Sequence, residues 1–513
     1  MKVPFTTADF LDRARQVYPQ RSGVVDEPGK HQDGGLGTLS YAQLAARAAG
    51  IAAGLDVLGL ARGDRVAVVS HNSARLLELF FGVTAWGRVL VPVNFRLSRD
   101  EVAYIVEHSG ARVLLVDPEL DDALADVPAE HRLVLGTGSD AALVRTGSAP
   151  APWEEPDEDA TATINYTSGT TARPKGVQIT HRNLWVNGVT FALHVGASDR
   201  DVYLHTLPMF HANGWGMPFG LTGLGVPQVV QRKIDGTEIL RRVERYGVTL
   251  MCAAPAVVTS VLEAAQAWDR PVPGHGRTRI VVAGAPPPSR TIQRVEEELG
   301  WEFLQIYGLT ETSPLLTVNR RRAEEDELPV EERARRLGRA GAPALGTRIR
   351  ISESGEVLAR GNTVLEGYWQ QPEATADALE GGWFRTGDGG TLDDEGYLSI
   401  RDRKKDVIIS GGENVSSIEV EDCLFSHPAV AEVAVIGVPS QKWGETIKAL
   451  VVLADGASAD EQELIAHCKA RLAGYKAPTS VELREAIPRT ATGKVQKFKL
   501  REQYWQGHDR QVN

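Results

Sequence analysis

Residues 166–176 read Tyr166, Thr167, Ser168, Gly169, Thr170, Thr171, Ala172, Arg173, Pro174, Lys175 and Gly176, directly after the strand-like run Thr161 to Asn165. Thr167 to Thr171 are all hydroxyl or glycine residues. They expose backbone N–H groups and short O–H donors, and Lys175 adds a positive charge, so a strand running into this loop suits a polyphosphate. A Walker A motif is excluded, because Lys175 follows proline and precedes Gly176 where that motif needs Gly-Lys-Ser/Thr.

Outward from this loop the text alternates between strand and helix. Arg65 to Ser70 reads as a buried strand, Ala74 to Trp86 as a helix, and Val89 to Asn94 and Ala111 to Asp117 as further strands. Ser98 and Glu101 form a capping box that opens a helix through Val106. The rhythm recurs at Val248 to Ala254, at Arg279 to Ala285 and in the helical run Ser289 to Leu299, which predicts mostly parallel sheets. The charge-dense stretch Arg320 to Arg339 reads as a surface insertion with some helix. From Thr347 to Tyr397 short strands and glycine turns predict a β-rich subdomain.

After the cluster Arg401 to Asp406 a fresh α+β unit begins. Ser416 and Glu419 cap a helix to about Phe425, strands follow at Ala431 to Gly437 and Ile447 to Leu453, then a helix from Asp460 to Leu472 and a strand near Ser480 to Leu483. The expected fold is α/β: a large N-terminal region (1–403) of two α/β sheets plus the β-rich subdomain, and a small mobile α+β domain (404–513).

The chain length of 513 residues corresponds to about three domain equivalents. With 42% hydrophobic and 24% charged residues most of it should pack. The net charge is −11, of which −1 falls on 404–513, and such acidity argues against nucleic acid as a partner. Cys252, Cys423 and Cys468 are too few and too far apart for a disulfide framework or a zinc site, and read as thiols in a reducing compartment. Charges at Asp9, Asp12, Arg13 and Arg15 break the apolar run a secretory signal needs, so a cytoplasmic location is expected. Thirty residues between Asp201 and Arg232 carry no charge. Pro208, Pro218, Pro227 and five glycines interrupt them, so the stretch reads as a loop-rich apolar wall rather than a membrane span.

The loop does not stand alone. In order follow Pro208 to Trp215 (PMFHANGW), Ala283 to Ala285, Tyr307 to Glu311 (YGLTE), Thr386 to Asp388, Arg401 to Asp406, Ser410 to Asn414 (SGGEN) and Pro488 to Lys494 (PRTATGK). Together these motifs resemble the adenylate-forming superfamily of acyl-CoA synthetases, luciferases and nonribosomal-peptide adenylation domains. The resemblance implies ATP, Mg²⁺ and coenzyme A as cosubstrates and a homodimer, and it implies roles for individual residues. Thr167, Ser168, Gly169, Thr170, Thr171 and Lys175 would hold phosphates, Gly284, Ala285 and Gly308 would bind the nucleotide, and Tyr307 would pack on its adenine. Thr310 would bond the α-phosphate, Glu311 would hold Mg²⁺, and Asp388 with Arg403 would bind the ribose. Lys494 would reach the reacting carboxylate. Lys405 would be the hinge between half-reactions, and Gly411, Gly412 and Glu413 would line the pantetheine channel. Met209, His211, Trp215, Met217 and Phe219 would shape the acyl pocket and its gate.

The uncharged stretch supports a fatty or arylalkanoic acid over an amino acid, whose ammonium group would call for a carboxylate. Two residues depart from the family pattern: Ala172 stands where most relatives have glycine, and Asp402 precedes Arg403 where glycine is common. The expected activity is an ATP-dependent carboxylate–CoA ligase. Adenylation for another acceptor, such as a carrier protein, or of a non-carboxylate group, and a non-catalytic acyl or nucleotide sensor, remain the alternatives, because the ATP motifs do not report the second substrate.

Overall fold

The computed structural model describes residues 2–27, 35–167, 174–403, 406–410, 413–440, 443–489 and 495–506. Among these residues the chain builds four sheets. The first runs, in spatial order, Gly367–Tyr368, Lys175–Thr180, Thr161–Thr167, Val89–Val93, Arg65–Val69, Ala111–Val116 and His131–Val134. Its centre is parallel and its strands are β-branched and buried on both faces, as parallel sheets covered by helices require. The second sheet has nine strands and is parallel from Ser22–Asp26 through Glu302–Gly308, with antiparallel strands added at both edges. A third, antiparallel sheet of Thr347–Ile351, Glu356–Gly361, Phe384–Leu392 and Leu398–Arg403 is the expected β-rich unit.

The local signals act as anticipated at the helix starts. Ser98 accepts from Glu101 N, and the Glu101 carboxylate accepts from Ser98 N at 2.8 Å, opening the helix Arg99–Ser109. Ser416 Oγ accepts from Glu419 N at 3.4 Å and so caps Ser417–Phe425, while the Glu419 carboxylate, expected to complete a capping box, is held by Lys476 Nζ at 2.7 Å. The run Ser289 to Leu299 divides into an α-helix, Ser289–Arg294, and a π-turn, Val295–Leu299. The helix expected to Trp86 ends at Thr84.

The uncharged stretch is more regular than the expected loop-rich wall. It holds the strands Tyr203–His205 and Gln228–Val230 around a helix, Met217–Leu224, with Pro218 in its first turn and Gly225 (φ 72°) ending it. Proline at a helix start and glycine at its end are stop and start signals there rather than breakers.

The small domain packs two helices and Lys497–Trp505 on a sheet of Glu413–Val415, Ile408–Ser410, Gly444–Leu453, Val430–Ser440 and Ser480–Leu483. It touches the large region where Ser289 N donates to Asp422 Oδ1 at 3.1 Å and Arg290 reaches His427 O at 3.4 Å. The insertion 320–339 lies against the large region through Arg333 and Arg321 on Glu296, and Arg336 on Glu325 ties it internally. No helix among the described residues is long and apolar enough to cross a membrane.

Candidate active site

The strand Thr161–Thr167 pairs antiparallel with Lys175–Thr180, and Thr167 stands opposite Lys175. The loop between them is therefore closed by a β-pair. Ser168, Gly169, Thr170, Thr171 and Ala172, which carry the phosphate expectation, lie outside the described residues. Gly176 is required by space: a Cβ there would meet Ile164 Cγ2 at 2.8 Å and Tyr166 at 3.1 Å.

Lys175 Nζ sits 4.9 Å from the ring centroid of Tyr368, on the edge strand that pairs with Val177 and Gln178. The Tyr368 hydroxyl donates to Glu311 Oε1 at 3.1 Å, and Leu365 N donates to the Glu311 carbonyl at 2.7 Å. Burial, and then the Glu311 charge, push the Tyr368 hydroxyl well above its ordinary range, so it stays a neutral donor. Lys175, Tyr368 and Glu311 thus form one cluster drawn from three distant segments. Tyr368 was not singled out by sequence; its only signal is the aromatic pair Tyr368-Trp369 after Gly367. Trp369 reinforces the arrangement, its N donating to Gly176 O at 2.7 Å and its indole N–H to His108 O at 3.1 Å.

Tyr307 ends the strand Glu302–Gly308, and the chain turns back at once into Leu315–Arg320. Gly308 permits this turn, because a Cβ there would lie 1.5 Å from Pro314 O. Thr310 is buried in the turn Thr310–Thr312. The Tyr307 hydroxyl donates to Asp388 Oδ2 at 2.7 Å. Asp388 is buried on Phe384–Leu392, after Gly387 (φ 74°), with its N–H on Thr386 Oγ1 at 3.1 Å and its backbone opposite Arg403. Gly284 (φ 98°) and Ala285 follow Arg279–Val282, the parallel neighbour of the Tyr307 strand. Gly284, Ala285, Tyr307 and Gly308 therefore gather at the carboxyl ends of adjacent parallel strands, where ligands bind in open α/β sheets.

On the apolar side Met209, Trp215 and Met217 are buried and His211 is half-buried. Phe219 departs from the pocket expectation. It packs edge-on against Phe80 and Phe81 at 5.7 and 5.4 Å in the core beneath, because the helix Met217–Leu224 turns that position inward. Met209 belongs to the same core, whereas Trp215 and Met217 join a second cluster under Leu221 and Leu304.

Arg403 closes the last strand of the β-rich sheet. Lys405, Gly411, Gly412 and Lys494 lie outside the described residues. Glu413 pairs with Ser410 across the antiparallel strands Ile408–Ser410 and Glu413–Val415. The buried Glu445 accepts from Ile409 N at 3.1 Å, and Arg501 pairs with Asp406 at 2.6 Å, next in sequence to the position where a hinge is expected.

Comparison with known proteins gives this geometry a family. The AMP-binding enzyme model matches residues 11–369, and the AMP-binding enzyme C-terminal domain matches 419–494. The chain belongs to the AMP-binding enzyme family. Among its relatives, a 2-methylpropanoate–CoA ligase of Humulus lupulus is 37% identical over 97% of this chain and 95% of its own length. A 4-hydroxybutyrate–CoA ligase of Metallosphaera sedula is 36% identical over 96% and 93%. An Arabidopsis thaliana relative, 35% identical over 97% of this chain and 96% of its own length, is described as a probable peroxisomal acyl-activating enzyme. Among solved structures, the Bacillus subtilis o-succinylbenzoate CoA synthetase in complex with its acyl-adenylate superposes with a TM-score of 0.81 at 31% identity, covering 96% of this chain and 97% of the other. An anthranilate CoA ligase in complex with anthranoyl-AMP reaches 0.87 at 25% identity, with 98% of each covered.

Proposed function

We propose that this AMP-binding enzyme is an ATP- and Mg²⁺-dependent carboxylate–CoA ligase acting on an acid with an uncharged tail, a fatty or arylalkanoic acid. The observation that carries the reading is the convergence of Tyr307 with Asp388, and of Glu311 with Tyr368 and Lys175, at the strand ends where the phosphate loop closes. Full-length relatives that are CoA ligases, and superposable structures holding acyl-adenylates, support it.

In the first half-reaction a carboxylate oxygen attacks the α-phosphorus and pyrophosphate leaves; in the second the CoA thiol attacks the acyl carbon and AMP leaves. The chain's part is positioning and charge stabilisation. Tyr307, Gly284 and Ala285 would frame the base, Asp388 and Arg403 the ribose, and Thr310 and the 167–171 loop the phosphates. Glu311 would hold Mg²⁺. Its hard carboxylate oxygen fits that ion. Lys494 would bring a positive charge to the reacting carboxylate, and rotation about Lys405 would then replace it with the Gly411, Gly412 and Glu413 segment. This divides the chain near 403. His211 and Trp215 would lie beside the acyl group. Three buried free thiols fit a reducing compartment such as the cytoplasm, and the family resemblance implies a homodimer that sedimentation will test.

The deciding experiment is a pyrophosphate-release assay with ATP and a panel of acids, followed by mass detection of the CoA thioester. The panel spans chain lengths, aromatic acids and the short acids of the relatives. Pyrophosphate release without thioester would assign the enzyme to another acceptor, and no release with any acid would overturn the reading.

A further inference from the structure

Ala212, Asn213, Gly214, Trp215 and Gly216 have φ values of 43°, 55°, 59°, 61° and 78°. This is a complete left-handed turn in which three residues carry a Cβ. Left-handed backbone is unfavourable for L-residues, least so for asparagine, and a run of it persists only where the surroundings over-determine it.

The surroundings are polar and buried. The Thr163 hydroxyl donates to Asn165 Oδ1 at 2.9 Å, Asn165 Nδ2 donates to Asn213 Oδ1 at 3.1 Å, and Asn213 Nδ2 donates to Thr163 Oγ1 at 2.9 Å. The three side chains, each at most 2% exposed, close a ring of hydrogen bonds that all run in one sense. Asn165 Nδ2 also reaches Phe210 O at 3.2 Å, at the entry of the turn. At its exit Asn187 Nδ2 donates to Trp215 O at 3.1 Å, while Asn187 Oδ1 accepts from Leu315 N at 3.2 Å. Gly216 packs so closely on this amide that a Cβ would lie 2.2 Å from Asn187 Nδ2.

Thr163 and Asn165 share one face of the strand that runs into the phosphate loop, and Asn213 lies within the turn between His211 and Trp215. The ring therefore bolts the acid side of the site to the nucleotide side. We propose that Asn165 is a positioning residue for substrate selection: through the Thr163–Asn165–Asn213 ring it holds the His211–Trp215 turn at a fixed distance from the phosphate strand and so sets which acids fit. The assignment of that turn to the acid rests on the ligase reading above. An apolar side chain at 165 would take the Asn165 donor from the buried Asn213 Oδ1 and from Phe210 O and the acceptor from the Thr163 hydroxyl, and the turn would relax away from its left-handed conformation.

The test uses Asn165→Leu, Asn213→Gly and the pair Thr163→Val and Thr163→Ser. Asn213→Gly removes the amide while easing the backbone, which separates the ring from strain. Expected for Asn165→Leu, Asn213→Gly and Thr163→Val is a change of about tenfold or more in the ratio of kcat/KM between short and long acids. The KM for ATP should stay within about threefold, deuterium uptake should rise in 208–217, and Thr163→Ser should restore the wild-type ranking. Folded variants that keep the wild-type ranking, or in which the KM values for ATP and acid rise together, overturn the proposal. If Asn165→Leu does not fold, the other three variants decide. If the wild-type enzyme activates no acid, the ligase reading fails separately, and unchanged deuterium uptake in 208–217 of the variants still overturns the ring.

Discussion

The hydroxyl of Tyr307 and the carboxylate of Asp388, 81 residues apart, meet at 2.7 Å and join the end of a nine-stranded α/β sheet to the β-rich subdomain. The bond holds one residue expected at the adenine and one expected at the ribose in a fixed relation before any nucleotide arrives, which lowers the ordering cost of binding.

Tyr307→Phe keeps the ring and deletes this donor. A hydrogen bond to a charged group contributes about 1.5–3 kcal/mol, so the KM for ATP should rise roughly 10- to 100-fold. The KM for the acid should stay within about twofold, as read from pyrophosphate release with each substrate varied in turn. Equal losses for both substrates would count against a nucleotide-specific role.

Tyr368→Phe removes the neutral donor that orients Glu311 while leaving the ring under Lys175. Half-saturation by Mg²⁺ should weaken about fivefold, corresponding to about 1 kcal/mol, with little change at saturating Mg²⁺. Glu311→Gln should lower adenylation by about 10²-fold even at saturation, in line with the loss of one preorganised group. Titration of activity with Mg²⁺ distinguishes the two.

Lys494→Ala should lower adenylation roughly 10²- to 10³-fold, about 3–4 kcal/mol, and spare thioester formation from preformed adenylate. Lys405→Pro, which restricts φ at the proposed hinge, should reverse that pattern. Single-turnover measurement of each half-reaction reads both; equal damage to the two halves removes the assignments.

Acid should unfold the large region through its buried histidines. Complete burial holds His205, paired with Gln228 Oε1 at 2.7 Å, down at about 4, and burial holds His181 at about 3. Unfolded, each returns to 6.5, so the unfolded chain binds more protons below that value. Stability is therefore fully present above pH 6.5 and falls as pH drops towards 4, by about 2 kcal/mol for each histidine between pH 7.5 and 5. Denaturant midpoints at the two pH values should show this loss, and His205→Gln should flatten it by about half.

The motif order, the strand runs such as Arg65 to Val69 and the cap at Ser98 and Glu101 were legible because each depends on residues a few positions apart, where periodicity and capping chemistry act locally. The same locality misled at Phe219, whose apolar setting fits a pocket as well as a core, and between Asp201 and Arg232, where prolines and glycines delimit a helix rather than dissolve it. Tyr368 carries no mark in the chain, since a tyrosine after glycine is common; only the edge pairing with Val177 brings it to Glu311. Asn165 and Asn213, 48 residues apart, are likewise ordinary asparagines until the strand and the left-handed turn are packed together. By itself the sequence determined the chemistry and the order of the elements, because those reside in residue type and short-range spacing. The tertiary structure alone decided which polar groups are desolvated against one another, because a buried hydrogen bond exists only when distant segments exclude water from the same place.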